Sequence, residues 1–170
     1  MIEGKKRETE NIVNLDLSET ARTKVWVNGD CNRVIELNLT DLNVMTRAKD
    51  AEKQLDELQA EANKLAASDE VPEDITSEDG AKKMDELIEV FKGIDKKMRE
   101  IVDYIFDFPV CAVCCDGGSM YDPINGQYRY EYIIEKLISL YGVTWEKESK
   151  LVRDKMQSHT AKYTKTRKKK

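Results

Sequence analysis

One histidine and three prolines are all that 170 residues contain of those types, and aromatic residues make up only 7%. The lone His159 sits in a polar stretch near the C-terminus, and no serine or cysteine has an evident neighbouring base. General acid–base and nucleophilic chemistry therefore lack their usual parts, and the expectation is a protein that is not an enzyme. Long apolar runs are missing as well. Nothing approaches the ~20 consecutive apolar residues that span a bilayer, and MIEGKKRETE has no apolar core of the signal-peptide kind. These absences predict an intracellular, soluble chain with no membrane partner. In such a reducing compartment its four cysteines are expected as free thiols.

Charge is abundant instead. Charged residues account for 36% of the chain against 40% hydrophobic, the balance of long solvated helices with a narrow apolar stripe, and a length of 170 residues suits one domain overall. The net charge of −5 hides a segregation. Asp69, Glu70, Glu73, Asp74, Glu78 and Asp79 cluster mid-chain, whereas Lys162, Lys165, Arg167, Lys168, Lys169 and Lys170 close it. A short basic end behind a net-acidic body reads as a solubilising tail, not as a nucleic-acid site.

The pattern along the chain predicts a mainly α fold. Residues 1–10 are polar and read as a frayed, disordered end. Residues 11–40 read as a small antiparallel sheet: Val13, Leu15 and Leu17 alternate with polar residues, and Val25 and Val27 run into Asn28-Gly29, followed by Val34, Ile35, Leu37 and Leu39. Asn-Gly between two β-prone runs is a strong hairpin signal. Residues 41–108 read as a long helical hairpin with an acidic linker at 67–80. Thr40 or Asp41 is the expected cap. The first helix carries the seam Val44, Ala48, Ala51, Leu55, Leu58, Ala62 and Leu65; the second, from about Ala81 to Phe108-Pro109, carries Met84, Leu87, Phe91, Ile94, Met98, Ile101 and Ile105, widened by Ile88 and Val102. Residues 109–157 read as a loop plus a compact C-terminal helical module. There, Val110 to Gln127 is a structured loop, a helix from Tyr128 stops at Gly142, and a weaker one runs from Thr144 to about Met156. Residues 158–170 are the basic tail.

Cys111, Cys114 and Cys115 are the sharpest chemical feature, because a Cys-x-x-Cys step suits zinc or a redox pair. A structural zinc needs four ligands, and Cys31 and His159 form no second paired knuckle. The favoured reading is buried small hydrophobes, with no metal and no cofactor. CDGGSMYDPINGQ has adjacent glycines but no following lysine, so it reads as a turn and not as a phosphate loop. Tyr121, Tyr128, Tyr130, Tyr132 and Tyr141 have few basic residues between them and read as packing or partner-binding side chains.

The run IVDYIFDFPVCAVCCDGGSMYDPINGQYRYEYIIEKLISLYG, followed by AKYTKTRKKK, resembles the core of tail assembly chaperones from long-tailed bacteriophages of Gram-positive hosts. The likeness lies in the order of parts: an early β-rich segment, a long charged helix, then an acidic helix, a small-residue loop, a helix and a lysine- and tyrosine-rich end. Phe108-Pro109 and CAVCC replace the Phe-Gly turn common in that family. The resemblance implies a host-cytoplasmic assembly factor, absent from the mature virion, that coats the tape measure protein and helps tail tube protein assemble around it. A helical groove lined by Phe91, Met98, Ile105, Phe106 and Tyr141 is the expected contact for client helices. Such chaperones are often made in two lengths by ribosomal frameshifting, and the A-rich codons of Lys168-Lys169-Lys170 suit a slippery run. The alternatives are a phage scaffolding or other coiled-coil structural protein that forms homo-oligomers through the two seams, and a zinc-stabilised regulatory module built on CAVCC.

Overall fold

Asn28 and Gly29 adopt φ of 56° and 74°, the left-handed pair that lets a two-residue turn match the twist of its strands. In this computed structural model, which describes residues 22–67, 72 and 74–167, with side chains as far as residue 157, the turn joins β1 (Thr23–Val27) to β2 (Asp30–Leu37). Val25 lies opposite Ile35 and Thr23 opposite Leu37, while the register shifts between Trp26 and Val27. Ile35 and Leu37 are buried, and Val25 and Val27 are half-buried against them. Two strands alone are marginal in water. Side chains tie this pair to the helices: Arg22 donates to the Asp107 carbonyl (3.0 Å), and Arg33 donates to the carbonyl of Val113 (2.8 Å). The alternation at Val13, Leu15 and Leu17 lies outside the described residues.

Helix α1 (Asn43–Ala66) follows. Its cap position is Leu42, one residue beyond Asp41 and two beyond Thr40, the expected caps, and Leu42 offers no side-chain bond. Asp41 acts from just outside instead: its carboxylate accepts the Asn43 amide (2.9 Å) and pairs with Arg47 (2.9 Å), whose Nε donates to the Ile105 carbonyl (2.8 Å). All seven seam residues of α1 are buried or half-buried. They face α2 (Glu78–Phe106), the main neighbour of α1.

Helix α2 begins three residues before the expected Ala81, so residues 78–80 of the expected 67–80 linker are helical. Ser77 accepts the Gly80 amide (3.1 Å), and Glu78 and Asp79 suit the positive end of the helix dipole. Gly80 is required by contact, since a Cβ there would overlap the Asp74 carbonyl oxygen. Of the two residues expected to widen the α2 stripe, Val102 is buried and Ile88 is exposed. The helix ends at Phe106, before Phe108-Pro109, because Asp107 turns left-handed (φ 50°) and its amide returns to Asp103 and Tyr104.

The expected loop at 110–127 contains regular structure. α3 (Val110–Cys114) is a short helix, and β3 (Pro123–Ile124) pairs with β4 (Gln127–Tyr128) across a second left-handed Asn-Gly pair, Asn125 and Gly126 at 50° and 84°. Strands of two residues carry no alternation, so this hairpin leaves only its turn in the sequence. The last helix, α4 (Arg129–Arg167), is continuous through Gly142 and through most of the expected 158–170 tail. Gly142 is therefore no helix cap. Trp145 stacks edge-on against Tyr141 (5.9 Å), and Thr144 bonds back to the Leu140 carbonyl (3.1 Å), so the turn containing Gly142 is held from both sides. A Cβ at Gly142 would meet nothing within 4 Å. Gly142→Ala should therefore stabilise the protein by about 0.5–1 kcal/mol in urea unfolding. Destabilisation would mean that the helix breaks there.

One buried cluster joins the elements: Ile35 and Leu37 from β2, Val44 and Leu58 from α1, Met98 and Ile105 from α2, Val110 from α3, and Leu137 and Tyr141 from α4.

Candidate partner-docking site

Where the first hairpin leans against α3 and α4, the surface opens into a cleft of about 660 Å³. Val25, Val27 and Ile35 form its sheet wall, Ile133, Leu137 and Leu140 its α4 wall, and Trp26, 60% exposed, stands at the rim. Helical geometry brings Ile133, Leu137 and Leu140 to one side because they are four and three residues apart. The same side continues beyond the cleft. Val143 follows Leu140 by three residues and Leu151 follows it by eleven, about three turns, so an apolar track runs along α4 for roughly 27 Å. Val143 is 71% exposed and Leu151 46%.

Beyond Trp145 this helix leaves the body. Every residue from 146 to 157 is exposed, twelve in succession, so no side of those three turns is covered. Protein helices owe most of their stability to packing of one face. An arm with Leu151 and Val152 open to water is the kind of element that a partner stabilises.

Polar groups beneath the cleft set its shape. Arg33 donates through Nε (3.2 Å) and Nη2 (2.8 Å) to the Val113 carbonyl, satisfying the C-terminal end of α3. Arg129 does the same for the Cys115 carbonyl (2.6 Å) and pairs with Asp122 (2.9 Å). Gly118 passes so close that a Cβ would overlap the Arg129 guanidinium. Asp95, on α2, accepts bonds from Ser119 Oγ (2.7 Å), the Met120 amide (2.6 Å) and Arg99 Nε (2.7 Å). Arg99 reaches on to the Gly118 carbonyl. Burial pushes the Asp95 carboxyl up, but the bonds from Ser119, Arg99 and Met120 outweigh it and hold its pKa below the usual value. These charges are engaged with backbone and with each other. What the cleft offers a ligand is mainly apolar surface, with Asp116 and Lys136 also in its lining.

The CAVCC thiols lie in this wiring. Cys111 and Cys115 are buried and Cys114 half-buried; Cys111 faces the Arg99 carbonyl (3.7 Å) and Cys115 the Met120 sulfur (3.2 Å). The Cys111 thiol is hydrogen-bonded to Cys115, which with burial pushes Cys111 up. The same bond, with the Arg99 and Arg129 charges, lowers Cys115 to about 7. Burial raises Cys114 to about 11. Cys31 is exposed on β2, apart from them, and the His159 side chain lies outside the described set. Among the described residues, no three His, Cys, Asp or Glu side chains form a group able to hold a metal ion.

The five residues expected to line a client groove fall elsewhere. Met98, Ile105, Phe106 and Tyr141 are core residues, at most 2% exposed. Phe106 and Tyr141 meet at 6.4 Å, while Phe91, half-buried, packs on Tyr121 at 5.6 Å. Tyr121 and Tyr130 also serve packing, their hydroxyls donating to the Leu58 carbonyl (3.4 Å) and the Gln59 side chain (2.9 Å). Tyr132 lines the cleft under the Lys136 ammonium (5.1 Å). The cleft residues Trp26, Arg33 and Leu140 escaped sequence reading because their meeting depends on how the hairpin docks. No protein-family model, curated protein or solved structure matches this chain.

Proposed function

We propose that the protein is a binding chaperone for amphipathic helices, and specifically a phage tail assembly chaperone whose client is the tape measure protein. The observation that carries this reading is the apolar track from the cleft onto the exposed α4 arm. Ile133, Leu140, Val143 and Leu151 have the spacing with which one helix receives another, and the rest of the arm is charged enough to keep a complex soluble. In this reading it works in the host cytoplasm, hands its client to tail tube protein and performs no catalysis. The scaffolding alternative needs the two heptad seams for self-association, yet the seam residues of α1, and those of α2 from Phe91 to Ile105, pack within the molecule.

Sequencing the encoding DNA past the lysine codons identifies the client. A slippery A-rich run, an overlapping −1 frame and then a very long gene for a helical protein are expected. Co-expression with that protein then tests the track. Val143→Glu with Leu151→Glu should leave the melting temperature of the chain unchanged, because both sites are exposed, while soluble client falls by about tenfold, equivalent to ~1.4 kcal/mol of binding. Client solubility that is indifferent to both changes would sink the proposed contact.

A further inference from the structure

Three sulfur atoms meet under the floor of the cleft. Cys111 lies on α3 and Cys115 at its cap position, and the Cys115 amide donates to the Cys111 carbonyl (3.1 Å). Their side chains therefore fall one above the other, four residues apart on one helical line. The two thiols are hydrogen-bonded to each other. The third sulfur comes from the following turn, where Met120 Sδ lies 3.2 Å from Cys115 Sγ. All three residues are at most 3% exposed.

The backbone of each of these residues is pinned by a charged side chain. Asp103 accepts the Cys111 amide (2.8 Å), Asp95 accepts the Met120 amide (2.6 Å), and Arg129 donates to the Cys115 carbonyl (2.6 Å). Partners of this kind orient donor atoms before a metal arrives. Two guanidinium groups, of Arg99 and Arg129, act on Cys115 against the carboxylate of Asp95, so the negative charge of a bound thiolate is met locally.

We infer that Cys111 Sγ, Cys115 Sγ and Met120 Sδ form a three-sulfur site for one soft monovalent metal ion, Cu(I) being the expected occupant. Thiolate and thioether donors select Cu(I). Zinc takes four nitrogen, oxygen or thiolate ligands, and among the described residues the two thiols gain no third His, Cys, Asp or Glu with which to hold a metal. Each thiol that binds releases its proton to solvent, and the ion keeps its oxidation state. Metal–sulfur bonds of about 2.3 Å, the value for zinc, set three sulfurs roughly 4 Å apart around one ion. Cys115 and Met120 then separate by less than about 1 Å, which the three rotatable bonds of methionine accommodate. Cys115 also lines the cleft, which gives the ion its way in. Bound there, it ties α3 to the turn that carries Met120. The site goes beyond the chaperone reading and does not depend on it.

Anaerobic titration of the full chain with Cu(I) against the chromogenic competitor bicinchoninate tests the inference. One equivalent should bind per chain, X-ray absorption should show three sulfur neighbours, and a roughly hundredfold excess of zinc should not displace the copper. Cys31→Ser with Cys114→Ser should change none of this. Met120→Leu conserves volume and keeps the melting temperature close to that of the wild type, while it should weaken Cu(I) about tenfold and leave two sulfur neighbours. Cys111→Ser with Cys115→Ser should abolish binding. No uptake by the wild type, uptake that disappears with Cys31 and Cys114, or affinity indifferent to Met120→Leu would overturn the inference and leave the three sulfurs as packing. The sulfur count on the wild-type chain is decisive without any variant, since two neighbours would exclude Met120.

Discussion

Asp95→Ala should destabilise the protein by about 3 kcal/mol, because one carboxylate accepts three bonds from groups with no equivalent alternative. Ser119 Oγ, the Met120 amide and Arg99 all converge on it. The substitution leaves the Arg99 guanidinium with only the Gly118 carbonyl and releases the loop that seats Met120, a fully buried side chain, against α2. For a chain of this size the melting temperature should fall by roughly 6–12 °C. The effect has a pH signature. The folded pKa of Asp95 is lowered, so its contribution is complete above the ordinary carboxylate value of 3.8 and is lost as pH falls through the lower folded value. Wild type and variant should therefore converge only in strong acid. Urea unfolding at neutral and acidic pH measures this directly, and a gap that widens on acidification would contradict the network.

Ile105→Ala should cost about 3 kcal/mol, within the usual 2–5 for emptying a core site of this size. Its side chain is fully buried, and its carbonyl anchors Arg47 of α1, so little around it can collapse into the space. The urea midpoint should drop with the slope unchanged. This result separates two roles for a residue that sequence reasoning assigned to client contact. A core residue loses stability first, and soluble client declines only in proportion to unfolded chaperone. A contact residue would lose client at unchanged stability, as expected for Val143 and Leu151.

Legibility in the sequence followed the range of the interaction. Asn28-Gly29 was readable because its glycine takes a left-handed conformation at little cost, and the seams of α1 and α2 were readable because seven-residue spacing fixes one helical face. Asn125-Gly126 carries the same local signal, but its strands are too short to confirm it. Gly142 misled for the converse reason. A glycine near the end of an apolar stripe looks like a helix stop, whereas the Tyr141–Trp145 contact and the Thr144 bond to the Leu140 carbonyl hold the helix through it. Asp95 and Arg99 look like an ordinary surface pair four residues apart; their work appears only when the 115–122 turn folds over them.

By itself, then, the sequence determined the class of the fold, the first hairpin, the paired helices and the segregation of acidic body from basic end, since each depends on neighbours within a few residues or on composition. The tertiary structure decided which apolar residues were available to a partner. Met98, Ile105, Phe106 and Tyr141 share their helical periodicity with residues that remain exposed, and periodicity states that a face is apolar without stating what covers it. Burial depends on how far α4 runs beyond the body and on where the hairpin docks. Long-range bonds, Arg33 to α3 and Arg22 to Asp107, seat the hairpin, and Trp145, packed against the core, marks the last covered turn of α4.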